Sequence, residues 1–383
     1  MHGTLLNERK GYTMAIKPQA APKVAPKPSV EVIVSDIDNT ITDFFGQWAK
    51  ITDDAIGDLA ESRNKMRGPN DQLKKDDLLK EMSENASGEH VFHNLEQTMA
   101  VLPSLKPRNE AEKKAFAKDD AKIIHNWKKD REGIMKPYEG VKETMEKAKA
   151  AGTKIVLYTD SPVTSTMHRA SILLGKDADR LVDAIYTQPD AANAANEKPA
   201  MPVKAKHADV LESLAKKTTV LPRGSHKPNP ETLASIVQEF GADPKKVVMV
   251  GDTYNDVAGA PKTGEVLEAR GYANVKKGDN VIAAWQRAGA DVNPRTVELA
   301  SKAQPDKDYK IGIVPVQEKM KANGVKPDVV LGTGWPELSK RFQFDKFQQF
   351  SKPQVVVSKT ENRKLAMTAA LNAIQKSQQG KTA

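Results

Sequence analysis

The 383-residue sequence contains no cysteine, which excludes disulfides, thiolate metal sites and a cysteine nucleophile together. It has no run of about 18 apolar residues, so no membrane-spanning helix is expected. Its N-terminus lacks the apolar core of a secretory leader, and a cytoplasmic protein is the expectation. Hydrophobic residues make up only 39% of the chain, so part of the length is expected to be tail. No G-x-G-x-x-G follows the first apolar strand, which argues against a dinucleotide site. Gly380-Lys381-Thr382 lacks the earlier glycine of a P-loop.

Charge of one sign is also scarce where it would matter. The net charge is +9, yet residues 31–342 hold 47 basic and 47 acidic side chains. The excess belongs to the ends. Residues 1–30 carry Arg9, Lys10, Lys17, Lys23 and Lys27 against Glu8, in an APKVAPKP context too poor in apolar groups to pack, and are expected to be disordered. Residues 343–383 form a second basic extension, in which Met367, Ala370, Leu371 and Ile374 recur at helical spacing. Nucleic-acid contact through these ends is a lesser expectation. Met14 offers an alternative start.

What is present begins with Glu31–Thr40, EVIVSDIDNT. An apolar strand, Glu31–Ser35, runs into Asp36 and Asp38. Alternation puts both carboxylates on one side of an extended chain, and like charges that close resist ionising together without a cation between them. The plain alternative is a strand followed by an Asx-turn. Residues 43–135 then read as helical. Ile51, Ala55, Ile56 and Leu59 form one apolar stripe and Phe116, Ile123, Ile124 and Trp127 another, with Gly68-Pro69, Pro103 and Pro107 as breaks. Phe44, Phe45 and Trp48 would either line a cavity or pack the insert on the core. His90, His93 and His125 lack an evident third partner for a metal and are read as surface residues.

From Pro137 the pattern alternates. A helix carrying Val141, Met145 and Ala148 stops at Gly152, and the strand Lys154–Tyr158 ends in Thr159-Asp160-Ser161-Pro162. A short strand over Ala184–Thr187 and a loop over 189–206 precede HKPNPE, where Asn229 caps a helix with Pro230 in its first turn and Gly241 closes it. The strand Lys246–Val250 enters Gly251-Asp252-Thr253-Tyr254-Asn255-Asp256. Residues 266–307 read as an extra, mostly helical insertion, and Ile311–Val316 and Val329–Leu331 as late strands. This order predicts an α/β domain with a parallel sheet.

The polar clusters fall just past strand ends or before a helix, where ligands bind in such sheets. Asp36 can attack phosphorus, and Asp38 can protonate the leaving oxygen and then deprotonate water. Mg²⁺ suits carboxylate oxygens, with Asp252 the natural second ligand. Thr159 and Lys227 offer a hydroxyl and a positive charge to the phosphoryl oxygens.

These residues resemble the haloacid dehalogenase-like hydrolases. DIDNT resembles the family's first motif, IVLYTDS the second, HKPNPE the third and VVMVGDTYND the fourth, in order over Glu31–Leu338. The resemblance implies a Rossmann-like core over 31–42 and 136–342, and a helical cap over 43–135. It implies Asp36 as nucleophile and Asp38 as acid/base lending its backbone carbonyl to the metal. Thr159, Asp160 and Lys227 would hold the phosphate. Asp252 would bind Mg²⁺, with Asp256 helping through water or by orienting Lys227. An aspartate at 38 resembles the phosphatase branch. The gap from Thr159 to Lys227 is longer than the family's, which leaves Lys198, Lys204 and Lys206 as outside candidates. The expected activity is Mg²⁺-dependent hydrolysis of a small phosphorylated metabolite through an aspartyl-phosphate. The alternatives are a binding protein with catalysis lost, or a phosphatase of nucleic-acid ends.

Overall fold

A computed structural model describes residues 26–85, 95–189, 208–287 and 313–354. The chain enters through β1 (Ser29–Val30) and β2 (Val32–Ser35). The helices α1 (Phe44–Asn64), α2 (Lys75–Asn85), α3 (Leu95–Ala100) and α4 (Glu110–Ile134) follow. Alternation then begins with α5 (Val141–Ala151), β3 (Lys154–Pro162), α6 (Val163–Leu174), α7 (Ala178–Leu181) and β4 (Ala184–Gln188). It continues through α8 (Ala208–Lys216), β5 (Thr218–Val220), α9 (Pro230–Phe240), β6 (Val247–Gly251), α10 (Tyr254–Val257) and α11 (Thr263–Ala269). The last elements are β7 (Ile282–Gln286), α12 (Ile313–Ala322), β8 (Val329–Leu331), α13 (Leu338–Arg341) and β9 (Gln343–Phe344).

Strands β2 to β8 form a seven-stranded sheet in the order β5-β4-β3-β2-β6-β7-β8, with every pairing parallel. The period of two sorts the central strands cleanly. Ile33, Ile155, Leu157, Val248 and Val250 pack on one face with α5, α6 and α8. Val32, Val34, Val156, Tyr158, Val247 and Met249 pack on the other with α9, α11 and α12. The result is a three-layer α/β fold with a Rossmann-like sheet. The chain builds outward from β2 to β5, returns, and builds the other way from β6. The reversal leaves a crevice beside β2, beyond the carboxyl ends of β2, β3 and β6.

The helices α1 to α4 share their own apolar cluster, in which Ile56, Leu59, Leu78, Phe116, Ile123 and Trp127 are buried. Arg63 is buried against the Phe116 ring and makes two bonds to Asp120, at 2.6 and 3.0 Å. Two connections join this unit to the sheet, and they lie side by side. Thr42 bridges Pro137, the Thr42 hydroxyl donates to Lys136 O at 2.7 Å, and Tyr138 N donates to Ile41 O at 2.8 Å.

Four expectations need correction. Ile313–Ala322 is a helix where Ile311–Val316 reads as a strand, because Pro315 sits in a first turn that tolerates it and Val316 and Met320 bury a helical stripe. The stretch 266–307 supplies β7 to the sheet, and its residues 288–307 lie outside the described residues. Part of the expected N-terminal tail belongs to the fold, since Ser29 and Val30 form β1, which pairs with β9, and Val30 is fully buried. The C-terminal extension likewise begins within the fold, and 343–354 runs against Gly152 and Gly241. The remainder of both tails, with the Met367 stripe, the Met14 start and Gly380-Lys381-Thr382, lies outside the described residues, as do His90 and His93. Among the described residues no helix is long and apolar enough to cross a membrane.

Candidate active site

Each central strand ends at a polar residue of the crevice. Asp36 follows β2, and its backbone N–H donates to Val250 O of β6 at 2.9 Å, which fixes where its side chain starts. The chain turns at once through Asn39, at φ 57°, a left-handed conformation that asparagine tolerates. Lys227 comes from the connection between β5 and α9, the segment that crosses from one half of the sheet to the other. Asp252 follows β6, and α10 begins there with a reciprocal cap. Thr253 N and Oγ1 both donate to Asp256 Oδ2, at 2.8 and 2.7 Å.

These residues meet. Lys227 Nζ donates to Asp36 Oδ1 at 2.5 Å and to Asp256 Oδ1 at 2.6 Å, with Tyr158 O at 3.4 Å. Asp36, Asp252 and Asp256 are all buried and present carboxylate oxygens within 4.8 Å of one another. Thr40 Oγ1 donates to Asp252 Oδ1 at 3.3 Å, and Trp285 Nε1 holds the Asp252 backbone oxygen at 2.8 Å. Thr159 is buried where the apolar run of β3 ends, and its hydroxyl accepts from Ser161 N at 3.1 Å, which leaves its proton to donate. Asp160 accepts from Lys227 N at 3.0 Å and so anchors the lysine's backbone. Lys227 therefore stands where the sequence also left Lys198, Lys204 and Lys206 as candidates, and those three lie outside the described residues.

The electrostatics follow from burial and crowding. Burial pushes the Asp36 carboxyl well above its usual range; Lys227 pulls it back, while Asp256 and Asp38 push it further up. Asp252 is raised well above the ordinary carboxylate value by burial, then by Asp256 and Asp36. Burial alone would lower Lys227, but Asp256, Asp36 and Asp160 together outweigh it and hold the ammonium protonated. Three buried carboxylates against one ammonium leave an excess of negative charge. A set of carboxylate oxygens with that excess fits a hard divalent cation such as Mg²⁺.

Asp38 lies apart from this cluster. Its Oδ2 accepts from Ser161 Oγ at 2.9 Å and is paired with the buried Arg169. Its carboxylate is thus outside the Asp36–Asp252–Asp256 group among the described residues, and only its backbone carbonyl remains for a metal role. Thr40 and Ser161 lie within the first and second motifs, though neither was given a role there, and Arg169 and Trp285 lie outside all four. His125 is exposed on α4, away from any candidate metal group among the described residues. Phe44, Phe45 and Trp48 open α1, and their side chains are outside the described set.

Comparison with known proteins bears on the same region. A family model described as haloacid dehalogenase-like hydrolase matches residues 30–264. A curated relative, the pyrophosphatase PpaX of Halalkalibacterium halodurans, is 26% identical over 140 residues, covering 37% of this chain and 49% of that protein. The chain thus spans about half the length of this relative. Among solved structures, a predicted phosphoglycolate phosphatase from Haemophilus somnus is 17% identical, with 81% of this chain and 97% of that one covered and a TM-score of 0.37. CbbY from Rhodobacter sphaeroides in complex with phosphate is 13% identical, with 81% and 96% covered and a TM-score of 0.33.

Proposed function

The chain belongs to the haloacid dehalogenase-like hydrolases, and from that premise we propose that it is a Mg²⁺-dependent phosphatase of a small phosphomonoester, acting through an aspartyl-phosphate on Asp36. The observation that carries this reading is the buried contact of Lys227 with both Asp36 and Asp256, at 2.5 and 2.6 Å, beside Asp252. It supports a reading in which Asp36 is the nucleophile, Lys227 the fixed cation and the acidic group the donor set for a divalent metal.

Asp36 attacks phosphorus with a carboxylate oxygen while the bond to the leaving oxygen breaks, and Asp38 gives that oxygen its proton. Asp38 then takes a proton from water as the water oxygen bonds to phosphorus, and Asp36 departs as a free carboxylate. Lys227 and the Thr159 hydroxyl hold the phosphoryl oxygens through both steps. Asp36 and Asp252 would hold Mg²⁺, with Asp256 and the Asp38 carbonyl completing its protein partners. When bound, the ion neutralises the phosphoryl charge. Asp256 also braces Lys227, and Asp160 fixes that lysine's backbone. The helices α1 to α4 form a cap whose paired connections sit immediately after the nucleophile's turn, placed to close over substrate and exclude water.

The test is hydrolysis of an aryl phosphate, an alkyl phosphate and inorganic pyrophosphate by the full chain, with and without Mg²⁺, beside Asp36→Asn. Pyrophosphate belongs in the panel because the curated relative, matched over 49% of its length, is a pyrophosphatase. Turnover that needs Mg²⁺ and vanishes in Asp36→Asn is expected; turnover that survives the substitution would overturn the assignment. A binding-only role and a nucleic-acid-end role both rest on the basic ends, whose residues 1–25 and 355–383 lie outside the described ones. Neither draws support from the crevice.

A further inference from the structure

The contact that the motifs did not anticipate joins three residues from three places in the chain. Asp38 Oδ2 accepts from Ser161 Oγ at 2.9 Å; Arg169 Nη1 donates both to that same Oδ2 and to Ser161 Oγ, the latter at 2.8 Å. Ser161 is itself fixed. Its carbonyl accepts from Thr187 Oγ1 at 2.6 Å and from Thr166 Oγ1 at 3.2 Å, and its N–H donates to Thr159 Oγ1 at 3.1 Å. The ring therefore ties Asp38, through Ser161, to the Thr159 hydroxyl. Arg169 sits on α6 with its side chain only 4% exposed, and the Asp38 side chain is 17% exposed. Both contacts fall on Oδ2. The other oxygen, Asp38 Oδ1, is buried and has no hydrogen-bond partner among the described residues. Asp38 is also near enough for its charge to push Asp36 upward.

A buried ion pair is a costly way to fill space, and apolar residues of the same volume often hold a fold as well. What the pair does supply is direction. A planar guanidinium bound to one carboxylate oxygen, with a hydroxyl as the third corner, removes the rotation that would otherwise exchange the two oxygens. We propose that Arg169 is a positioning residue for proton transfer, which with Ser161 engages Oδ2 of Asp38 and leaves Oδ1 as the oxygen that carries the proton. In the first step the bond from phosphorus to the leaving oxygen breaks and the proton on Oδ1 passes to that oxygen. In the second, Oδ1 takes a proton from water as the new bond to phosphorus forms. Arg169 keeps its own protons throughout and acts only through Asp38. This inference rests on the reading of Asp38 as the acid/base, and its test separates the two.

Leaving groups differ in how much they need the proton. Nitrophenolate departs readily without one, whereas an alkoxide does not. The full chain with Mg²⁺ is compared with Arg169→Met, Arg169→Lys, Ser161→Ala and Asp38→Asn on 4-nitrophenyl phosphate and on a simple alkyl phosphate. Arg169→Met is expected to lose about 100-fold in kcat on the alkyl ester and less than about 10-fold on the aryl ester, the span of general acid catalysis. KM should stay close to the parent value for both. Ser161→Ala keeps the ion pair and should shift the same ratio in the same direction by a smaller factor, as should Arg169→Lys. These two milder variants carry the test if Arg169→Met does not fold. Equal losses on both esters would overturn the proposal, because a merely structural residue has no reason to discriminate between leaving groups. So would a raised KM at constant kcat, which would make Arg169 a substrate ligand. Asp38→Asn decides which reading fails. If it discriminates and the Arg169 and Ser161 variants do not, the positioning role falls alone; if it does not, the role of Asp38 falls with it.

Discussion

Lys227 is the residue on which the acidic crevice depends, since it stands between Asp36 and Asp256 at hydrogen-bond distance from each. Lys227→Met leaves these carboxylates facing one another in a buried site, and breaking such a pair costs roughly 3–5 kcal/mol. Urea unfolding in the presence of a chelator should show that loss, and Mg²⁺ should return part of it by binding the folded state. A metal-free stability equal to the parent's would show that the charge is offset elsewhere. Activity should fall by about 10²- to 10³-fold, the scale for losing a preorganised electrostatic contact. Thr159 allows a subtler comparison, because valine keeps its buried volume but removes the hydroxyl. Thr159→Val should lower kcat/KM by at least about 10-fold and Thr159→Ser should recover most of it, read from initial rates. Lys227 and Thr159 were both legible in the sequence, since each is marked by a strand end or a helix cap beside it. Arg169 was not. Nothing in VTSTMHRASILL distinguishes it from any helical arginine, and its role comes from a contact with Asp38 at a separation of 131 positions.

The strands and helices show why some of these placements could be read locally and others could not. The β2, β3 and β6 runs are apolar with punctuation at their ends, and the apolar part of each lies within one or two residues of its expected bounds. Strand β7 escaped because Ala283-Ala284 carry little strand preference; its place is set by burial on both faces between β6 and β8. The junction of β6 and α10 is equally dependent on close approach. A Cβ on Gly251 would lie 2.1 Å from the Asp256 Cβ. Gly251→Ala should therefore move Asp256 off Lys227, and displacements near 1 Å at such sites cost about 100-fold in rate. A crystal structure or the kcat of this variant checks the point; unchanged turnover would show that Asp256 does not need its position. The cap helices form a separate apolar cluster, so damage there should stay there. Leu59→Ala removes a fully buried side chain and should cost about 2–5 kcal/mol of cap stability. Hydrogen exchange should quicken in α1 and α4 while β2, β3 and β6 stay protected. Equal loosening of sheet and cap would mean that the two unfold as one.

Across the whole molecule, the two ends of the described chain close the fold at the edge opposite the crevice. Strand β1 pairs with β9, and Ser29 Oγ donates to Asp345 at 2.5 Å. The buried Glu31 binds Lys246 at 2.7 Å and Gln348 N at 3.0 Å. Farther on, Phe347 meets Phe240 edge to face at 6.5 Å between centroids, and Phe350 N and Ser351 N both donate to Gly241 O, at 2.8 and 3.1 Å. Gly241 caps α9 at φ 67°, and a Cβ there would lie 2.2 Å from Ser351 O. By charge alone, 343–383 reads as one basic extension. Its aromatic residues reveal their purpose only once β1 and the ends of α5 and α9 are in place, so the packing of 343–354 could not be read from composition. Two truncations separate the strap, 343–354, from the residues beyond it. Ending the chain after Phe342 uncovers Phe240, takes the Gln348 N–H from Glu31 and leaves the β1 edge unpaired, and several kcal/mol lost from a core of this size should lower Tm by roughly 5–10 °C. Ending it after Gln354 keeps every one of these contacts, and Tm should exceed that of the shorter truncation by about the same 5–10 °C. Calorimetry of both proteins in the same buffer decides the matter. Equal Tm values for the two truncations would show that 343–354 lies on the core without holding it together.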